Sequence, residues 1–174
     1  MEKKILIVDD EERVVESIAG VLEDEGFRVA RARSGEEAVD VFEREKPDVT
    51  LLDIWMPGVD GMEVLKRLKR MAPESQVIMV SGHATISTAM TAVKLGAFDF
   101  LEKPLSIDVL LMTIHRALEH QKEWLASRPS EEEGSQGKLP LNLPSFVFNL
   151  WDNVLRILPD LCLAGGTPDI SLSK

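Results

Sequence analysis

Residues 49–61 read Val49-Thr50-Leu51-Leu52-Asp53-Ile54-Trp55-Met56-Pro57-Gly58-Val59-Asp60-Gly61: a short apolar run that stops on an aspartate and passes into a turn-rich loop. A continuous apolar run bounded by turn signals is the pattern of a strand buried on both faces of a parallel sheet. The N-terminus repeats the form, since Ile5-Leu6-Ile7-Val8 runs directly into Asp9-Asp10. A further strand end carries Ser81, and another is closely followed by Lys103-Pro104. In an open parallel sheet, ligands bind beyond the carboxyl ends of the strands, so these side chains should converge on one pocket. Two carboxylates ~4 Å apart repel by roughly 4 kcal/mol at an effective dielectric of ~20, a cost that Mg2+ with oxygen ligands can offset. The pocket reads as a metal-assisted phosphoryl-transfer site.

Working outward, β-branched runs alternate with stretches of helical period, the signature of βα units. The expected strands are Lys4 to Val8, Arg28 to Ala32, Val49 to Asp53, Gln76 to Ser81 and Phe98 to Leu101. Between the first two, Val14, Ile18, Val21, Leu22 and Glu25 recur at helical spacing, and Gly26 sits where a helix end favours a left-handed residue. Ser34 with Glu37 forms a capping-box pattern ahead of Ala38, Val41 and Phe42, and Pro47 stops that helix. Val64, Leu65 and Leu68 mark the inward face of the third helix. Ile86, Ala89, Met90 and Val93 mark that of the fourth, which finishes at Gly96. The fifth starts near Ser106 and turns Leu110, Leu111, Ile114 and Leu118 inward. The expected fold is α/β: a doubly wound, five-stranded parallel (βα)5 sheet of the flavodoxin-like kind.

This unit fills residues 1–122, with a linker over 123–138 whose polar core, Ser127 to Lys138, is rich in Ser, Glu and Gly and lacks apolar period. Residues 139–174 form an apolar tail with a candidate helix at 145–158, capped by Ser145 and ended by Pro159. Such a helix needs a surface to bury it. Three readings of the tail stand side by side: docking on the first unit, binding a partner or second copy, or an unselected extension. The last is slightly favoured, because apolar helical stretches arise easily by chance.

The 174 residues carry a net charge of −10, which opposes direct binding to nucleic acid or anionic lipid, both of which are held through Lys and Arg. The single cysteine, Cys162, excludes an intramolecular disulfide, and no apolar run of about 20 residues exists, so a soluble cytoplasmic protein is expected. The chain has no GxxxxGK[ST] loop, so neither ATP hydrolysis nor DNA binding is assigned to it.

Each candidate side chain also has an ordinary reading. Asp53 alone can cap a following helix, and Asp9 and Asp10, ahead of Glu11 and Glu12, can serve a helix N-terminus through its dipole. Their joint placement at strand ends suits metal coordination better, with Asp53 as a carboxylate nucleophile toward phosphorus. Lys103 would meet an anionic phosphoryl group as a point charge, and Ser81 would donate its hydroxyl to it. His83 follows Ser81 by two residues, where a solvated loop His is the simpler reading. His115 and His120 lack partners at zinc-ligand spacing and read as surface residues, and the methionines as core or loop filling. Trp55 has the bulk to hinder water at the pocket mouth.

Four motifs, ILIVDDEE, LLDIWMPGVDG, VIMVSGHAT and GAFDFLEKP, in this order and spacing, resemble the receiver domain of two-component response regulators. The match covers about residues 1–121, and the stretch SGHATISTAMTAVKLGAFDFLEKPLS looks most like the nitrogen-regulation class of transcriptional activators. The resemblance implies Asp53 as phosphoacceptor and Mg2+ on Asp10, Asp53 and the Trp55 backbone carbonyl, with Asp9 assisting through water. It implies Ser81 and Lys103 on the phosphoryl oxygens and Phe100 as an aromatic switch. It also implies a sensor histidine kinase as donor, and a face made by the fourth helix, fifth strand and fifth helix that signals and can pair two copies. On this reading the chain is no enzyme in the usual sense, but a signalling domain that catalyses its own phosphorylation and dephosphorylation. The alternatives are a haloacid-dehalogenase-like phosphatase, which needs a second Asp where Trp55 stands, and a flavodoxin, whose phosphate the Asp9 to Glu12 cluster would repel.

Overall fold

The computed structural model describes residues 2–83 and 85–127. The candidate helix at 145–158, the tail 139–174 and the linker beyond Ser127 lie outside the described residues. Five strands, β1 (Lys4–Val8), β2 (Arg28–Ala32), β3 (Val49–Asp53), β4 (Gln76–Ser81) and β5 (Asp99–Glu102), alternate with α1 (Glu12–Asp24), α2 (Gly35–Glu45), α3 (Gly61–Met71), α4 (Ile86–Lys94) and α5 (Ile107–Ala126). All strand pairs are parallel, in the order β2-β1-β3-β4-β5. The order reverses direction between β1 and β3, which opens a crevice at their carboxyl ends where the aspartates lie.

Alternation along the strands builds two cores, one on each face of the sheet. Ile5, Ile7, Val49, Leu51, Ile78 and Val80 meet α1 and α5 through Val15, Ala19, Leu22, Leu110, Ile114 and Ala117. On the other face, Leu6, Val8, Leu52, Val77 and Met79 meet α2, α3 and α4 through Val41, Phe42, Val64, Leu65, Leu68 and Ala92. Burying each large aliphatic side chain contributes roughly 1.5–3 kcal/mol.

The helix ends have local causes. Ser34 Oγ accepts the Glu37 N–H at 3.2 Å, while the Glu37 carboxylate accepts the Arg33 N–H at 2.8 Å, so this capping box reaches one residue further back than expected. Asp60 and Thr85 cap α3 and α4 by accepting the N–H groups of Met62 and Thr88. Gly26 and Gly96 take φ of +83° and +97° at their turns, where a Cβ would be strained.

Several expectations need correction. The fifth strand begins at Asp99 instead of Phe98, and α5 continues to Ala126, so residues 123–126 are helix and not linker. In α1 the fully buried stripe is Val15, Ala19 and Leu22, while Val14, Ile18 and Val21 are half-buried. In α4 only Ala92 is fully buried, and Ile86 (62% exposed) and Met90 (45%) face solvent, because this short helix covers only the β4 and β5 side of the sheet. Met71 and Met112 are also exposed, whereas Met79 is fully buried. His115 is exposed as expected, but His120 is half-buried against the Phe98 ring, and burial holds its imidazole below the usual range. Among the described residues, no helix is long and apolar enough to cross a membrane.

Candidate functional site

Because β1 and β3 are hydrogen-bonded neighbours in register from Ile5↔Val49 to Val8↔Leu52, the residues that follow, Asp9 and Asp53, emerge side by side at the carboxyl edge. Both are nearly inaccessible, at 3% and 5%, while Asp10 is exposed. Asp9, Asp10 and Asp53 can each present one carboxylate oxygen so that all three oxygens lie within 4.8 Å of one another. Hard oxygen donors at this spacing, two of them buried, fit a small divalent cation such as Mg2+.

The cluster is partly neutralised from β5. Lys103 Nζ lies 2.7 Å from both Asp9 Oδ2 and Asp53 Oδ2, and 3.6 Å from Glu11. The Lys103–Pro104 bond is cis. Burial disfavours the Lys103 ammonium, but its hydrogen bonds and charge contacts with Asp53 and Asp9 outweigh that cost and raise its pKa well above the ordinary lysine range. Burial also raises the Asp9 carboxyl, against the opposing hydrogen bonds from Lys103 and the Glu11 N–H.

The remaining oxygens are held by main chain. Asp9 Oδ1 accepts the Glu11 N–H at 2.9 Å, and Asp53 Oδ1 accepts the Trp55 N–H at 3.1 Å. Neither Asp9 nor Asp10 is the N-cap of α1; that position is Glu11, without a side-chain cap bond. Trp55 projects its side chain into solvent at 62% exposure. Ser81 follows Val80, the register partner of Asp53, and is fully buried. Its Oγ accepts the His83 N–H at 3.2 Å, and its carbonyl accepts the Lys103 N–H at 2.9 Å, which ties the Lys103 backbone to the end of β4. Phe100 is half-buried and packs on the α2, α3 and α4 side of the sheet. The structure thus brings Asp9, Asp10, Asp53 and Lys103 together, and sets Ser81 on the neighbouring strand end.

Two participants were not singled out from sequence. Glu11 joins the carboxylates around Lys103, a role hidden in an acidic run. Gly61 has its N–H on the Ile54 carbonyl at 3.1 Å, and a Cβ there would come within 2.1 Å of the Asp53 carbonyl oxygen. Its signal is the terminal glycine of the loop after Asp53.

Comparison with known proteins agrees with this geometry. The family described as response regulator receiver domain matches residues 5–115. The nitrogen assimilation regulatory protein NtrX of Azorhizobium caulinodans is 46% identical over 121 residues, covering 68% of this chain and 27% of that protein. The chain therefore spans about a quarter of the length of the curated relatives it matches. The crystal structure of the NtrX receiver domain from Brucella abortus superposes with a TM-score of 0.63 at 41% identity, covering 66% of this chain and 98% of that one. A receiver domain protein from Methanospirillum hungatei gives 0.69 at 31% identity, over 71% and 99% of the two chains. None of these matches supports the phosphatase alternative. A five-stranded doubly wound sheet, an acidic crevice bridged by a lysine and these matches agree, and the chain belongs to the response regulator receiver domain family of two-component signalling, in its NtrX/NtrC-type branch.

Proposed function

We propose that Asp53 accepts a phosphoryl group from a phosphohistidine of a sensor histidine kinase. The observation that carries this reading is the buried Asp53 carboxylate at the crevice, with Asp9, Asp10 and Lys103 around it. An Asp53 oxygen attacks phosphorus in line; the O–P bond forms as the N–P bond of the donor breaks, and the electron pair returns to the imidazole. Asp10, Asp53 and the Trp55 carbonyl would hold Mg2+, with Asp9 assisting through water, and the ion would neutralise charge on the transferring group. Lys103 and Ser81 bind phosphoryl oxygens. Attack of water on phosphorus later releases inorganic phosphate and restores the carboxylate.

The kinase would approach over α1, where Val14, Ile18, Val21, Pro104, Leu105 and Ile107 line an apolar groove of about 330 Å3 that also touches Lys103. Output would pass through Ser81 and Phe100 to the face of α4, β5 and α5, where the exposed Ile86, Met90, Val109 and Met112 offer apolar surface for pairing two copies. Control of transcription from the cytoplasm fits the relatives, one of which is a DNA-binding transcriptional regulator, NtrC of Klebsiella pneumoniae. The receiver unit is taken as residues 1–122 with the last turn of α5, ahead of a linker reaching residue 138 and the tail 139–174.

The test is phosphate incorporation from acetyl phosphate by wild type and Asp53→Asn, each with and without MgCl2. Labelling only when both the aspartate and the metal are present is expected. Equal labelling of Asp53→Asn would overturn the assignment.

A further inference from the structure

The β2 edge of the sheet carries a local excess of cations on an acidic chain. The bonds Arg28 N–H to Lys3 C=O and Asp9 N–H to Ala32 C=O bracket the β1–β2 ladder. Alternation along a parallel ladder then turns the N–H and C=O of Arg28, Ala30 and Ala32 toward β1 and those of Val29 and Arg31 toward the edge, which is paired with no other strand among the described residues. The next outward amide, that of Arg33, is already taken by Glu37. Val29 and Arg31 lie on a groove of about 300 Å3 between the C-terminal ends of α1 and α2.

Four cations, Lys4, Arg28, Arg31 and Arg44, line this groove against two carboxylates, Glu23 and Glu45, in a chain whose net charge is −10. Lys4 and Arg44 share Glu45, and Arg31 is engaged by Glu23 at 2.8 Å and Glu16 at 3.3 Å. The Glu16 contact is made by Arg31 Nε, which is buried and forms no aligned hydrogen bond among the described residues. Arg28 has no ion-pair partner among the described residues and is exposed.

An open sheet edge is a template for another strand, and basic side chains on it discourage pairing with itself, since two copies meeting there would set Arg28 and Arg31 against the same residues. An acidic strand reverses the sign of that interaction. We propose that the β2 edge is a docking site for an extended acidic segment of a partner protein. The segment adds as a sixth strand, with main-chain hydrogen bonds to Val29 and Arg31 and carboxylates on Arg28 and Arg44. The site lies outside the phosphorylation crevice and does not depend on the role given to Asp53.

The probe is a fluorescein-labelled peptide of four Glu-Val repeats, compared with one of four Lys-Val repeats, titrated into the full chain and followed by anisotropy and amide hydrogen exchange. The acidic peptide should bind, the basic one should not, and the Val29 and Arg31 amides should exchange more slowly in the complex. The Arg28→Gln/Arg44→Gln variant should bind about tenfold more weakly with an unchanged circular dichroism spectrum. If that variant misfolds, the exchange result on wild type decides alone. Absence of binding at millimolar peptide, equal binding by the folded variant, or binding that leaves the Val29 and Arg31 amides unprotected would overturn the proposal; the last would mark a plain anion patch.

Discussion

Lys103 Nζ stands 2.7 Å from Asp53 Oδ2 and, on its other side, 2.7 Å from Asp9 Oδ2, so a single ammonium bridges the carboxylates at the ends of β1 and β3. Replacing it leaves two buried like charges facing each other. Lys103→Ala should therefore destabilise the fold by about 2 kcal/mol, the scale of a hydrogen bond to a charged group, and millimolar MgCl2 should recover part of the loss. Thermal melts with and without the salt check this; a variant as stable as wild type without metal would contradict it.

Gly61 packs against the phosphoacceptor strand so closely that no side chain fits, its Cβ position lying 2.1 Å from the Asp53 carbonyl oxygen. Gly61→Ala must push α3 away from the end of β3. A loss of roughly 1–3 kcal/mol is expected from this overpacking, with slower phosphate incorporation because Asp53 moves. Denaturant unfolding and phosphorylation rate measure the two effects separately.

Thr50 is fully buried in β3, and its hydroxyl has no hydrogen-bond partner among the described residues. A polar group buried without a partner costs free energy that an isosteric methyl does not. Thr50→Val should raise stability by about 1 kcal/mol, seen as a higher unfolding midpoint in urea at an unchanged slope.

Asp99 begins β5 with its carboxylate largely buried. Burial raises its pKa above the ordinary 3.8, opposed by the Phe100 N–H and by Arg116 at 3.8 Å. A carboxyl raised on folding favours the native state fully below its unfolded value and loses that contribution as pH rises through the folded one. At neutral pH the charged form is thus a net cost. Asp99→Asn, which keeps an acceptor for Phe100, should melt higher than wild type at pH 7, and the difference should shrink as pH falls toward and below the ordinary value of 3.8. A paired pH series of melting temperatures checks the sign.

β1, β3 and β4 were legible because each is an apolar run bounded by charge or turn residues, whereas β2, Arg28 to Ala32, carries arginine within it and shows as a strand mainly through its position between two helices. The inward face of α3 was legible for a similar reason, since Val64, Leu65 and Leu68 are its branched aliphatic residues, set among Lys66, Arg67, Lys69 and Arg70. α4 was not, because Ile86, Ala89, Met90, Ala92 and Val93 are spread around a short helix, and periodicity gives spacing but leaves the phase open. The same ambiguity moved the buried stripe of α1 to Val15, Ala19 and Leu22.

By itself the sequence determined the βα alternation, the family and the identity of the acidic and basic groups at the strand ends, since apolar period, turn residues and motif order are properties of the chain read in one dimension. Only the tertiary structure decided that Lys103 would bridge Asp9 and Asp53, that Gly61 would touch the Asp53 carbonyl, and that Ile86 and Met90 would face solvent. Each of these depends on contacts across 8 to 94 residues of chain or on which side of a helix meets the sheet, and such relations exist only once the strands have paired and the helices have settled on them.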